Sequence, residues 1–117
     1  MPFVMSKVNV PVDAAQETQF MSRLGKAIEI LPGMSERFLL AGLEANCRLY
    51  LRGEQIPTAY VEMNVFGNEI HYGYEKFAVA VTEIFVDALN IPPQNVYVKF
   101  CDLDCWGVGG KLFDGAR

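Results

Sequence analysis

The chain has 117 residues, 51% of them hydrophobic and 21% charged, with a formal net charge of −4 and a pI of about 4.9. That length fits one domain spanning 1–117, with enough apolar material for a core that needs neither metal nor disulfide support. No cluster of Lys or Arg supplies the field that a nucleic acid requires, and no run of 18 apolar residues exists to cross a bilayer, so both partner classes are set aside.

The opening segment, Pro2 to Val10, partly alternates and is expected as a short strand closed by Pro11. Asp13 is a candidate helix N-cap. From Ala14 to about Leu31 the apolar residues Phe20, Leu24, Ala27, Ile28 and Leu31 fall on one helical face, and Pro32-Gly33 ends the helix. Arg37–Glu44 reads as a second strand, Arg48–Leu51 as a shorter one, and Ala59–Val65 as a third. Phe66-Gly67-Asn68 is turn chemistry. A second helix over Tyr74–Leu89 carries Phe77, Ala80, Val81, Ile84, Ala88 and Leu89 at helical spacing. Val79, Phe85 and Val86 make it apolar nearly all round, so more than one of its faces should be covered. Val96–Phe100 is the last long strand, and the glycine-rich stretch Gly107–Phe113 is expected as an arm or loop.

The order is therefore strand–helix–strand, twice. The halves echo each other at their turns: Leu31-Pro32-Gly33 leads to the strand near Phe38, and Ile91-Pro92-Pro93 leads to the strand at Val96. A duplicated β-α-β predicts an α+β fold with a four-stranded mixed sheet and two helices on one face. Its second face needs a cover, and a mean hydropathy of +0.15 in so small a chain suits a buried subunit interface. Cys47, Cys101 and Cys105 are odd in number and outside any dense framework, which points to reduced thiols. With no signal-peptide pattern after Met1-Pro2, the expected location is the cytoplasm, with secretion that needs no signal peptide as the other route.

Met1-Pro2, Asn9-Val10-Pro11, Ile91-Pro92-Pro93-Gln94-Asn95-Val96-Tyr97-Val98, and then Val108-Gly109 and Phe113 recur in an order that resembles the macrophage migration inhibitory factor family of the tautomerase superfamily. The resemblance runs from Met1 to about Phe113. It implies a homotrimeric barrel with sites between subunits. It also implies cofactor-free keto–enol tautomerisation of aromatic 2-oxo acids such as phenylpyruvate, or of dopachrome-like compounds. Pro2 would be the general base: once methionine is removed its nitrogen is a secondary amine, and an α-amine of reference pKa ~7.7–8 is lowered further by an apolar site. The resemblance places Tyr97 against the neighbouring subunit's proline and the backbone of Phe66 at the site. Val108 and Phe113 would line the pocket, with Phe113 displaced because the segment before it is shorter than usual.

Two positions depart from the family pattern. Met34 stands where a lysine commonly meets the substrate carboxylate, and Lys99 stands where asparagine is frequent on the last strand. Lys99, or second Arg37, is the candidate replacement cation. The family's Cys-x-x-Cys is also absent, Thr58-Ala59-Tyr60-Val61 standing in its place, so a thiol redox role lacks support.

The remaining constellations are weak. Cys101-x-x-x-Cys105 lacks the matching pair of a metal knuckle, Gly107-x-Gly109-Gly110 precedes no helix, and the lone His71 reads as a surface residue in a polar turn. Trp106 is expected at a subunit edge or pocket rim. The arginine-dependent dehalogenases and decarboxylases of the superfamily rank lower, because Arg37, Arg48 and Arg52 are scattered. A cytokine-like role through a receptor, or small-molecule binding with vestigial activity, stays open as the alternative.

Overall fold

The structure is a computed structural model that describes residues 1–115; the unit expected over 1–117 extends two residues beyond them. Pro2–Val8 forms β1, and its burial alternates residue by residue, with Pro2, Val4, Ser6 and Val8 inside. β3 (Ala59–Phe66) does the same with Ala59, Val61, Met63 and Val65. The two lie antiparallel at the sheet centre, Pro2 opposite Val65 and Val8 opposite Ala59. Each has a parallel partner outside it: β2 (Leu40–Glu44) beside β1, and β4 (Val96–Leu103) beside β3. The order β2-β1-β3-β4 is the expected four-stranded mixed sheet of two β-α-β units.

The crossover helices, α1 (Ala14–Ala27) and α2 (Tyr74–Leu89), cover the buried face. Asp13 caps α1 as expected, its carboxylate accepting from the Gln16 amide at 2.8 Å while the Gln16 side chain accepts from the Asp13 amide at 2.9 Å. Phe20, Leu24, Ala27, Ile28 and Leu31 are all buried, although the α-helix stops at Ala27 and a tighter turn carries Ile28–Ile30. Phe20 meets Phe85 of α2 with ring centroids 5.0 Å apart, and Arg23 pairs with Asp87 at 2.8 Å on the exposed rim. α2 ends at Asn90 in the left-handed region (φ 55°), whose amide donates to the Val86 carbonyl at 3.1 Å, the bond of an αL stop. Val79 of α2 stays exposed in the protomer. At the other end Gly73 adopts φ 84°, and a Cβ there would come 2.9 Å from the Ile30 carbonyl oxygen.

Three segments depart from expectation. Arg37 and Phe38 belong to a short 3-10 turn, Glu36–Phe38, so β2 starts only at Leu40. Arg48–Leu51 is not a strand. Leu51 makes a single bridge with Glu54 around Arg52 and Gly53, both at positive φ, and the Leu49 carbonyl is taken by a side chain instead of a neighbouring strand. The glycine-rich end is not an irregular arm but a hairpin, β5 (Cys105–Val108) and β6 (Lys111–Asp114). Gly109 and Gly110 both have positive φ in a two-residue loop, the backbone that a type I′ turn demands.

Asn9 ties the long β2–β3 connection to the sheet. Its amide donates to the carbonyls of Leu49 (3.0 Å) and Ile56 (2.7 Å), and its oxygen accepts from the Thr58 amide (2.7 Å). Asn9→Ala removes three such bonds at once and is expected to cost about 2–4 kcal/mol. A shift of the urea midpoint at unchanged m-value checks this, and a midpoint within error of wild type would contradict it.

Candidate active site

Pro2 starts β1, where a missing N–H costs no ladder bond, and its ring is buried on the helix-covered face. With Met1 attached its nitrogen is a tertiary amide and carries no basic lone pair. The Met1 carbonyl accepts from the Phe66 amide at 3.4 Å, and the Met1 α-amine lies 3.9 Å from the Met34 sulfur. Burial holds that amine below its ordinary pKa of 8.0.

Two hollows flank Met1 and Pro2. The larger, about 640 Å³, is bounded by Phe3, Arg37–Leu40 and the hairpin residues Trp106–Gly109. The smaller, about 320 Å³, is bounded by Gly33, Met34, Phe38 and Phe113. Met1, Pro2 and Phe38 line both, so residue 1 and its surroundings form the wall between the two hollows. Volumes of this order, lined by apolar side chains with a single charged side chain, Arg37, suit a small organic molecule.

Pro2, Met34, Val108 and Phe113 thus gather around one place, Val108 in the larger hollow and the other two in the smaller. Met34 is buried. The Phe66 ring faces the uncovered side of the sheet and meets the Phe113 ring edge-on at 6.3 Å. Tyr97 and Lys99 do not join this group. Both face the uncovered side, with Tyr97 opposite Tyr60 and Lys99 opposite Glu62, whereas Pro2 faces the helices. Tyr97 lies about five residues along the sheet from the level of Pro2, roughly 17 Å at 3.3 Å per residue. It is 53% exposed beside Tyr50 and Tyr60.

Phe38, Leu39 and Leu40 belong to the site, and sequence reading took them only as strand residues. The signal for Phe38 was its place a few residues after a Pro-Gly stop and just before the strand end nearest Pro2. Trp106 lines the larger hollow from the hairpin, whose residues Trp106–Gly109 share that hollow with the start of β1. Among the described residues no three His, Cys, Asp or Glu side chains gather as a metal cluster, and no helix is long and apolar enough to cross a membrane.

Beside the site, Asp102 joins β4 to the start of α2. It accepts from the Tyr74 hydroxyl at 2.6 Å and from His71, whose ring stacks on Tyr74, so His71 is more than a solvated turn residue. The Tyr74 bond holds the Asp102 carboxyl below its usual 3.8, partial burial opposes, and His71 adds to the lowering. Tyr74 is pushed above its ordinary 10.0 by burial and then by the Asp102 bond. A carboxyl with a depressed folded pKa contributes stability that is present above its unfolded value and lost as pH falls through the folded one. Asp102→Asn is therefore expected to lower stability at neutral pH and to lose its difference from wild type below about pH 4. Urea midpoints measured from pH 7 to pH 3 check this, and a difference that persists undiminished at pH 3 would refute it.

The sequence matches the family model for macrophage migration inhibitory factor over residues 1–114. The chain belongs to the macrophage migration inhibitory factor family. Solved structures agree at the level of fold. The Leishmania major MIF2 structure superposes with a TM-score of 0.89 at 20% identity, covering 97% of each chain. The homologue from Prochlorococcus marinus gives 0.85 at 24% identity, covering 95% of this chain and 98% of that one. The Toxoplasma gondii protein gives 0.87 at 20% identity, covering 95% and 99%. No curated protein sequence matches it significantly. Family membership accounts for the paired β-α-β units and the hairpin; at such identities it assigns no substrate.

Proposed function

We propose that the chain, with Met1 removed, is a cofactor-independent keto–enol tautomerase that uses the Pro2 amine as general base on small aromatic 2-oxo acids of the phenylpyruvate kind, or on dopachrome-like compounds. The observation that carries this reading is the place of Pro2, buried where two apolar hollows meet at the chain start. Removing Met1 joins the hollows and leaves a secondary amine facing the joined space. The low polarity that depresses the Met1 amine is expected to act on the Pro2 amine as well, which favours its neutral, basic form.

In the ketone-to-enol direction Pro2 takes the proton from the carbon beside the ketone. The C–H pair becomes the C=C bond, the carbonyl π pair moves to oxygen, and the proton passes from the prolinium through water to that oxygen, which regenerates the neutral amine. The reverse direction returns the proton from the prolinium to carbon. Phe38, Val108 and Phe113 enclose the apolar part of the substrate, with Met34 forming the floor. The Phe66 amide, released from the Met1 carbonyl, is a donor at the site.

The uncovered sheet face is assigned to neighbouring copies in a homotrimer. Leu40 and Tyr97 are exposed on it, and Tyr50 is exposed beside it, so it offers the apolar surface that assembly buries. Tyr97, remote from Pro2 in its own protomer, then serves the neighbour's site. The direct test is enol-to-keto conversion of phenylpyruvate by protein whose N-terminus is verified by intact mass. Turnover is expected, and its absence from trimer beginning at Pro2 overturns the reading.

A further inference from the structure

The larger hollow beside Pro2 carries one charged side chain, Arg37, among apolar residues and glycines. Its neighbour Glu36 does not neutralise it. Glu36 folds back over α1, its carboxyl oxygen resting where Gly25 has no side chain; a Cβ at Gly25 would come within 2.2 Å of that oxygen. Among the described residues no carboxylate lies in ion-pairing range of Arg37. Its guanidinium is instead held 5.5 Å from the centroid of the Phe38 ring, a cation–π contact that keeps it at the wall of the hollow. A guanidinium with free donors beside an apolar space matches the planar, bidentate geometry of a carboxylate.

We infer that Arg37 is the carboxylate anchor of this site, supplied by the same protomer that supplies Pro2. The site then selects small organic acids whose carboxylate adjoins the reacting ketone and whose apolar body lies along Phe38, Trp106 and Val108. The inference rests on the tautomerase reading for what the bound acid undergoes, but not for its binding. Lys99, the other candidate cation, lies on the opposite face of the sheet and lines neither hollow of its own protomer, so it is open only to a neighbour's site and is tested beside Arg37.

The chain has one tryptophan, Trp106, and it lines the same hollow, so its emission reports occupancy without turnover. The test titrates processed wild-type protein, Arg37→Met, Arg37→Lys and Lys99→Met with 3-phenylpropanoate and with its uncharged amide. Wild type is expected to prefer the acid. Arg37→Met should lower the acid-over-amide preference about tenfold or more, and Arg37→Lys should restore some of it, as a point charge without the fork. The acid-over-ester ratio of kcat/KM for phenylpyruvate and its methyl ester should fall in parallel.

Wild-type protein without preference for the acid overturns the inference, as does a preference that survives Arg37→Met or is lost in Lys99→Met instead. Protein that discriminates acid from amide through Arg37 yet turns over neither phenylpyruvate nor its ester would sink the tautomerase reading and leave the anchor standing.

Discussion

Protein that begins at Pro2 is expected to convert enol phenylpyruvate to the keto form at least about 100-fold faster than the same chain retaining residue 1. The reason is elementary: with Met1 attached, the Pro2 nitrogen shares its lone pair with a carbonyl and accepts no proton. Met1 also occupies the space between the two hollows, so retention blocks access as well as basicity. Pro2→Ala separates these effects. An N-terminal alanine is processed too and leaves a primary amine, still a base but free to rotate, whereas the pyrrolidine ring fixes its nitrogen against the start of β1. We expect that variant to fall about 10- to 100-fold, less than the chain with residue 1 retained.

The pH profile of kcat/KM adds a second readout. The protonated amine is inactive, so the rate rises with pH through the pKa of the amine and levels above it. Burial lowers the Met1 amine from its usual 8.0, and the same surroundings are expected to lower the Pro2 amine of the processed chain. Equal turnover with and without residue 1, at verified mass, would remove Pro2 from the chemistry.

Most of the fold was readable because its elements obey one period each. The helical face from Phe20 to Leu31 is buried as read, and the strand read over Ala59–Val65 is present, with alternate residues buried. What was misread turned on side chains or glycines answering for backbone groups. Arg48–Leu51 has strand composition, but Asn9 takes the Leu49 carbonyl and positive φ at Arg52 and Gly53 turns the chain. The hairpin was hidden because glycine suggests looseness, yet Gly109-Gly110 is the pair that a two-residue I′ turn favours.

At the site, Pro2, Met34, Val108 and Phe113 were named from resemblance and do gather in space. Phe38 reads only as a strand residue, and Arg37 as a strand residue and second candidate cation, because nothing in the local pattern reveals a 3-10 turn whose wall faces β1 and the hairpin. That juxtaposition joins residues some seventy positions apart along the chain, from Arg37 to Trp106. His71 was read as surface for the same reason: its partner Asp102 is distant in sequence and near only through the β3–β4 register.

Mixing two impaired chains is expected to restore activity. In one protomer Tyr97 and Pro2 face opposite sides of the sheet about 17 Å apart along it, so a Tyr97 that serves a proline must serve a neighbour's. Tyr97→Ala alone should lower kcat/KM about 100-fold if its hydroxyl steadies the developing enolate charge, the usual effect of removing one such donor. Chains carrying Pro2→Ala and chains carrying Tyr97→Ala, unfolded together and refolded at equal amounts, then assemble at random.

Each site in the ring needs a Pro2-bearing subunit followed by a Tyr97-bearing one, which occurs for about a quarter of sites. The mixture should therefore recover about a quarter of wild-type activity, well above either parent, while a simple blend without refolding should stay at the mean of the two parents. The outcome discriminates sharply. Recovery near a quarter requires a site shared between subunits and ties catalysis to assembly. Activity equal to the mean of the two parents would place Pro2 and Tyr97 in separate roles, leaving the uncovered sheet face as a packing surface that contributes nothing to the reaction.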